Sequence, residues 1–168
     1  MIYIGIDPGL SGAVAAIERD GIMFYDTPTI TMKKAGGTKT DYVPAQMAKL
    51  LKDYDPLNCH VFIEQVGAMP GQGVTSMFGF GKGYGLWIGI VATIGIPYTF
   101  VTPQAWKKSF MLGKADKNDG RLRAIELFPD CSHMLTPTRG VTTKPQSIGR
   151  ADALLIAEHG RRMMERKA

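Results

Sequence analysis

The sequence predicts an α/β fold on a five-stranded mixed sheet, three antiparallel strands followed by two parallel ones, flanked by helices. Three observations carry this. Ile2 to Asp7 alternates, and two further strand runs, Gly12 to Glu18 and Gly21 to Tyr25, follow across a hairpin turn, the pattern of an antiparallel meander. Two helix-then-strand units follow, ending at Glu64 and Val101, and a strand that re-enters after a helix joins the sheet by a parallel crossover. The 168 residues make one domain, 1–168, long enough to bury about 70% of the surface its unfolded chain exposes.

Ile2 to Asp7 alternates and stops at Pro8-Gly9. Gly12 to Glu18 and Gly21 to Tyr25 are the next two strands, joined by the hairpin turn Arg19-Asp20-Gly21. Thr27 to Thr40, rich in Thr, Lys and Gly, reads as a mobile basic loop carrying Lys33, Lys34 and Lys39. Asp41 is placed to cap a helix from Tyr42 to about Tyr54, with Val43, Met47, Leu50 and Leu51 on one face. Asp55-Pro56-Leu57-Asn58 ends it, and His60 to Glu64 is a short buried strand. A right-handed crossover sets this strand beside the first, so that Asp7 and Glu64 leave the sheet at one edge.

Gly67 to Gly73 is a glycine-proline loop, and Thr75 to Thr93 is a helix of odd composition. Gly79, Gly81, Gly83, Gly85 and Gly89 each cost about 1 kcal/mol relative to Ala in an exposed helix. Tight packing, inside the fold or across a dimer interface, is the expected compensation. A glycine-rich phosphate cradle is the alternative, but no Gly-Lys-Ser/Thr ending is present, and no nucleotide cofactor is expected. Ile96 to Val101 is the fifth strand, and Thr102-Pro103 starts a helix with Thr as N-cap and Pro in its first turn. A helix from Asn118 to Phe128 ends at Pro129, Ser132 to Gly149 reads as a polar loop, and Arg150 to Lys167 is the last helix, with Asp152 in its first turn.

Composition narrows the function. The content is 45% hydrophobic and 21% charged, with no repeat period, and no uninterrupted apolar stretch reaches the roughly 20 residues of a membrane span. Met1-Ile2-Tyr3-Ile4 runs straight into a strand without a basic leader, so a cytoplasmic protein of a bacterial or phage-infected cell is expected, with no membrane partner. Cys59 and Cys131 make neither a disulfide framework nor a zinc site. The net charge of +5 fits a polyanionic partner. Lys33, Lys34, Lys39, Lys82, Lys107, Lys108, Lys114 and Arg121 are the candidate phosphate contacts, with solvated helix faces as the alternative for the helical ones.

Asp7 and Glu64 close apolar strands, and Asp152 sits in an apolar helical run. A carboxylate at the rim of a core is costly unless paired, and a divalent cation offsets the cost. Capped turns or salt bridges account for any one of them alone; three together point to a shared Mg²⁺ or Mn²⁺ site. Two such ions about 3.5–4 Å apart clamp the attacking water and leaving oxygen of a phosphodiester. Lys117 adds a positive charge for the phosphate, or is a solvated helical lysine.

Five strings in register strengthen this reading: Gly5-Ile6-Asp7-Pro8-Gly9-Leu10; Ile63-Glu64-Gln65-Val66; Pro103-Gln104-Ala105-Trp106-Lys107-Lys108; Gly113-Lys114-Ala115-Asp116-Lys117; and Ala151-Asp152-Ala153-Leu154. In order and spacing they resemble the RuvC family of Holliday junction resolvases, over nearly the whole chain. Ser76-Met77-Phe78-Gly79-Phe80-Gly81 matches the same pattern, and the short glycine-rich middle looks like the phage-type branch. The resemblance implies an RNase H-like fold and a homodimer that nicks the two strands of a four-way DNA junction in a metal-dependent way, with other branched DNA left open as substrate. It also implies Asp7, Glu64 and Asp152 as ligands of one or two Mg²⁺ or Mn²⁺ ions, Lys117 as the basic catalytic residue, and the helix from Thr75 as the dimer contact.

Two departures accompany the resemblance. The family carries a second acidic residue or a histidine three or four positions before the last aspartate, where this chain has Gly149 and Ile148. An aromatic that follows Glu-Gln-Val in the cellular enzymes is replaced by Gly67, leaving Met69, Phe78 or Phe80 to meet the junction centre. A junction-binding protein with impaired cleavage is therefore an alternative, and a nucleotide-binding member of the wider superfamily is another, although the chain is short for two kinase-like domains.

Overall fold

The first 26 residues form three strands, β1 (Ile2–Ile6), β2 (Ala13–Glu18) and β3 (Gly21–Asp26), paired antiparallel with Tyr3 opposite Ile17 and Ala16 opposite Met23. The computed structural model describes residues 1–67, 71, 73–113, 116–140 and 142–166. The next strands are β4 (Thr29–Lys34) and β5 (Gly37–Tyr42), a separate two-stranded ribbon where a loop was expected. No apolar alternation announced it, because Ile30 to Thr40 is exposed on both faces.

Helix α1 (Pro44–Leu51) begins later than Asp41 suggested. Val43 is its N-cap, and the Asp41 carboxylate instead accepts from the Tyr42 N–H and pairs with Lys82. Strand β6 (Cys59–Glu64) then pairs parallel to β1, with Ile6 opposite Ile63. Helix α2 (Val74–Ile94) leads to β7 (Tyr98–Val101), parallel to β6. The sheet order is β3-β2-β1-β6-β7, the predicted mixed sheet.

Helix α3 (Pro103–Ser109) starts on the Thr102 side chain, which accepts from the Ala105 N–H as expected. Helix α4 (Lys117–Leu127) is capped by Asp116. The segment read as a polar loop holds a short α5 (Ser132–Leu135) and the first turns of α6 (Lys144–Glu165). A Thr143–Gln146 capping box starts α6. Asp152 therefore lies roughly two turns inside the helix at 3.6 residues per turn, and the helix dipole does not account for its position.

Period-two alternation divides the core. Ile4, Ile6, Val61 and Ile63 pack with Met47 and Leu51 of α1 and with Trp87 and Val91 of α2. Phe62, Ala13 and Ala15 pack on the other side with Trp106, Phe110, Leu154 and Leu155. Helix α6 lies directly on the sheet because Gly5 and Gly160 have no side chains. A Cβ on Gly5 would collide with the Ala153 carbonyl, and one on Gly160 with the Phe62 ring.

Of the helix α2 glycines, Gly83 alone packs inside the fold; Gly79, Gly81, Gly85 and Gly89 have open space around them. With 21 residues, α2 is long and apolar enough to cross a membrane by length and composition, which the sequence reading did not expect. Its buried residues are Gly83, Trp87 and Val91, packed against the sheet with Tyr84, Leu86, Ile88, Ile90 and Ile94 partly buried beside them, while Gly81, Gly85 and Gly89 lie on an exposed stripe.

Candidate active site

The site lies where β1 and β6 leave the sheet together. Asp7 and Glu64 each stand one residue beyond the registered pair Ile6 and Ile63, so the parallel pairing delivers both carboxylates to one edge. Asp7 is shaped locally by a turn in which the Gly9 N–H donates to its Oδ1 at 3.2 Å. From the opposite layer, α6 contributes Asp152, placed by the close approach of that helix to β1 at Gly5. Helix α4 crosses at the same level, where a Cβ on Gly120 would stand 3.1 Å from Asp152 Oδ1.

A cavity of about 1190 Å³ opens here, and Asp7 and Asp152 both line it. Trp106, Lys107, Lys108, Asp116, Lys144 and Ile148 share its wall. Glu64 is tied to a residue of this wall, Trp106, whose indole Nε1–H donates to Glu64 Oε1 at 2.9 Å. Burial pushes the Glu64 carboxyl above its ordinary range, while the Trp106 hydrogen bond and the charge of Lys107 partly offset this. Lys107 itself lies 5.3 Å from the Trp106 ring centre, a cation over an aromatic face.

The donor set is carboxylate oxygen, which suits a hard divalent cation. Among the described residues, no group of three His, Cys, Asp or Glu is drawn together closely enough to hold an ion. Mg²⁺ keeps several waters and uses one or two protein carboxylates together with substrate phosphates, so the Asp7 and Asp152 pair fits such an ion without a closed cage.

The other expected residues fall in several places. Lys107 and Lys108 are exposed at the cavity rim. Lys117 opens α4, one turn before Gly120, but its side chain lies outside the described residues, as do Met69 and Lys114. Phe78 is 77% exposed near the start of α2, and Phe80, two residues on, lines the cavity. Lys33, Lys34 and Lys39 stand on the β4–β5 ribbon rather than in a loop. Lys82 is engaged by Asp41 at 2.5 Å, whose carboxyl is lowered first by that hydrogen bond. Arg121 has a structural task, donating to Asn118 Oδ1 at 2.8 Å and to the Leu135 carbonyl.

The fold can be compared with known structures on this basis. Thermus thermophilus RuvC in complex with a Holliday junction substrate superposes with a TM-score of 0.59 at 12% identity, covering 97% of this chain and 96% of that one. The chain has the RuvC fold. A second Thermus thermophilus RuvC structure agrees, with a TM-score of 0.53 at 16% identity, covering 98% of this chain and 97% of that one. No family model and no curated protein sequence matches the chain.

Within the RuvC fold, Trp106, Asp116 and Lys144 are cavity residues that sequence reasoning did not assign. Trp106 lies inside one of the matched strings, but its partner Glu64 is 42 residues away and only the β6–α3 packing reveals the contact. Asp116 was legible as an acidic residue before a helix; its side chain caps α4 through the Asn118 N–H at 2.9 Å while lining the cavity. The two departures before Asp152 differ in kind. Ile148 lines the cavity, whereas Gly149 is buried against the β1–β2 turn, where a Cβ would collide with the Ser11 carbonyl.

Proposed function

We propose that this protein is a structure-selective endonuclease that resolves four-way DNA junctions, and other branched DNA, by metal-dependent phosphodiester hydrolysis. The observation that carries the reading is the full-length RuvC fold with Asp7 and Asp152 on one cavity and Glu64 hydrogen-bonded to Trp106 of its wall. Asp7, Glu64 and Asp152 are the ligands in this proposal, and one or two Mg²⁺ or Mn²⁺ ions are the cofactors. A bound divalent ion would supply Lewis-acid polarisation of the phosphate and a more acidic water. Asp7 and Asp152 present anionic oxygens from opposite layers, Trp106 orients Glu64 by hydrogen bonding, and Lys107 and Lys108 bring positive charge to a phosphate entering the rim. Lys117, at the start of the helix that crosses beside Asp152, is the proposed basic catalytic residue. Hydrolysis joins a water oxygen to phosphorus and breaks one P–O ester bond, the leaving alkoxide taking a proton.

A four-way junction has two strands to cut, and a two-fold dimer offers two matched sites. The exposed stripe of α2, where a Cβ on Gly81, Gly85 or Gly89 would enter open space, is the surface proposed for the second copy. Phe78 and Met69 are the proposed contacts to the open junction centre. Lys33, Lys34, Lys39, Lys82, Lys107, Lys108, Lys114 and Arg121 were the candidate phosphate contacts; the pairing of Lys82 and the internal bonds of Arg121 make those two the weakest.

One observation favours a second reading, a junction-binding protein with impaired cleavage: the positions before Asp152 offer no ligand, and no three-residue metal cluster is preformed among the described residues. Incubation of a synthetic four-way junction with and without Mg²⁺ or Mn²⁺ separates the two. Paired nicks that require the metal support the nuclease; tight binding with no product at saturating Mn²⁺ supports the binding protein.

A further inference from the structure

We propose that the β4–β5 ribbon is a DNA-gripping arm that enters the groove of a duplex arm of the substrate, at a fixed distance from the nuclease site; the inference rests on the junction-cleaving reading. The ribbon is an ordered pair of six-residue strands, with Thr31 opposite Thr40 and Lys33 opposite Thr38. Isolated hairpins are marginal in water, and this one is exposed from Ile30 to Thr40. An exposed, apolar-bearing edge with no cover is a liability that a binding role explains.

Its chemistry indicates the occupant. Lys33, Lys34 and Lys39 occupy the outer half, and the ribbon's one acid, Asp41, is at the base and already engaged by Lys82 of α2 and by Lys39. Strand alternation puts Ile30, Met32, Lys34 and Lys39 on one face, cations beside exposed apolar side chains. The Thr31 and Thr40 hydroxyls lie 2.9 Å apart on the other face, which also carries Lys33 and can reach phosphate oxygens. A two-stranded ribbon fits the major groove of B-DNA, and a net positive outer half suits its phosphate rims.

The footing fixes where the arm stands. Tyr42, the last residue of β5, is buried, and its hydroxyl donates at 3.2 Å to the carbonyl of Pro8, the residue after Asp7. The ring fits only because α2 has Gly83 at that level; a Cβ there would collide with Tyr42 and stand 2.7 Å from Pro8 O. The arm's base is therefore tied to the Asp7 turn and to α2 together. Six residues at about 3.3 Å each carry the tip roughly 20 Å from that footing, or about six base pairs of duplex at 3.4 Å each.

The test compares the whole protein with its K33A/K34A/K39A variant by fluorescence anisotropy, in EDTA so that no strand is cut. The probes are a long-armed four-way junction, a linear duplex, and a junction with arms of about four base pairs. On the two long probes the variant's slope of log affinity against log salt should be shallower by about two to three, at 0.9 per phosphate contact. On the short-armed junction the two proteins should bind alike. An unchanged slope on the long probes, or an equal loss on the short one, would overturn the arm. Because the linear duplex needs no junction preference, the arm can fail while junction cleavage stands, and the reverse.

Discussion

Trp106 donates its indole N–H to Glu64 Oε1 at 2.9 Å, joining the first turn of α3 to the end of β6 across the wall of the cavity. The carboxylate is half-buried and burial raises its pKa; the hydrogen bond from the indole lowers it, more than the charge of Lys107 does. Trp106→Phe removes the donor and puts a smaller ring into a site where Trp106 is 1% exposed, so it should cost more than the roughly 1 kcal/mol of the hydrogen bond alone. Without the hydrogen bond the Glu64 carboxyl rises further, so the acid limb of the pH–rate profile should move to higher pH. A profile unchanged in position would show that Glu64 is not among the ionised groups the reaction needs.

The positions before Asp152 give a paired prediction. Ile148 lines the cavity one helical turn before Asp152, so Ile148→Asp should add an oxygen ligand and lower the Mn²⁺ concentration giving half-maximal cleavage. Gly149→Asp should instead destabilise the protein, by about 2 kcal/mol or more, because its Cβ meets the Ser11 backbone. Metal titration and thermal melts of the two variants check both.

Glu158 supplies a pH prediction. It is 2% exposed; burial alone would raise its carboxyl, but hydrogen bonds and charge from Arg161 and Arg162 hold it below the ordinary 4.5. A depressed native pKa stabilises above the unfolded value, and that contribution disappears as pH falls through the native one. Glu158→Gln should therefore lose stability at neutral pH and show a shallower acid decline below about pH 4.5. The arginines are one-third exposed, which limits the neutral-pH loss to about 1–3 kcal/mol. Melting temperatures from pH 3 to pH 7 read the sign directly.

A Cβ on Gly85 of α2 would meet no other part of its own chain within 4 Å. Gly85→Arg should leave the fold intact and convert the proposed dimer to a monomer in sedimentation. A wild-type chain that sediments as a monomer, or a variant that remains a dimer, would assign α2's open face to something else.

The sheet and the edge shared by Asp7 and Glu64 were readable because apolar runs of strand length end at those carboxylates, and because Arg19-Asp20-Gly21 and Thr102-Pro103 have strong local geometry. The β4–β5 ribbon was not readable: with neither face buried, its only alternation, Ile30 and Met32 between threonines, is too short to stand out among Thr, Lys and Gly residues. The early start of α6 had a signal, Thr143 followed by Gln146, but Pro145 and the polar residues around it read as loop. Asp41 resembled a cap because caps are recognised by residue type, and only the packing shows its carboxylate turned to Lys82. The Trp106 and Glu64 contact joins separate elements, so it appears only once α3 is laid on β6.

Cleavage of a four-way junction labelled on all strands, under single-turnover conditions with Mg²⁺ or Mn²⁺, tests the central claim most directly when wild type is compared with Asp7→Asn. Paired nicks in opposing strands should require the metal and vanish in Asp7→Asn while junction binding is retained. Cutting without a divalent ion, or full activity in Asp7→Asn, would contradict it.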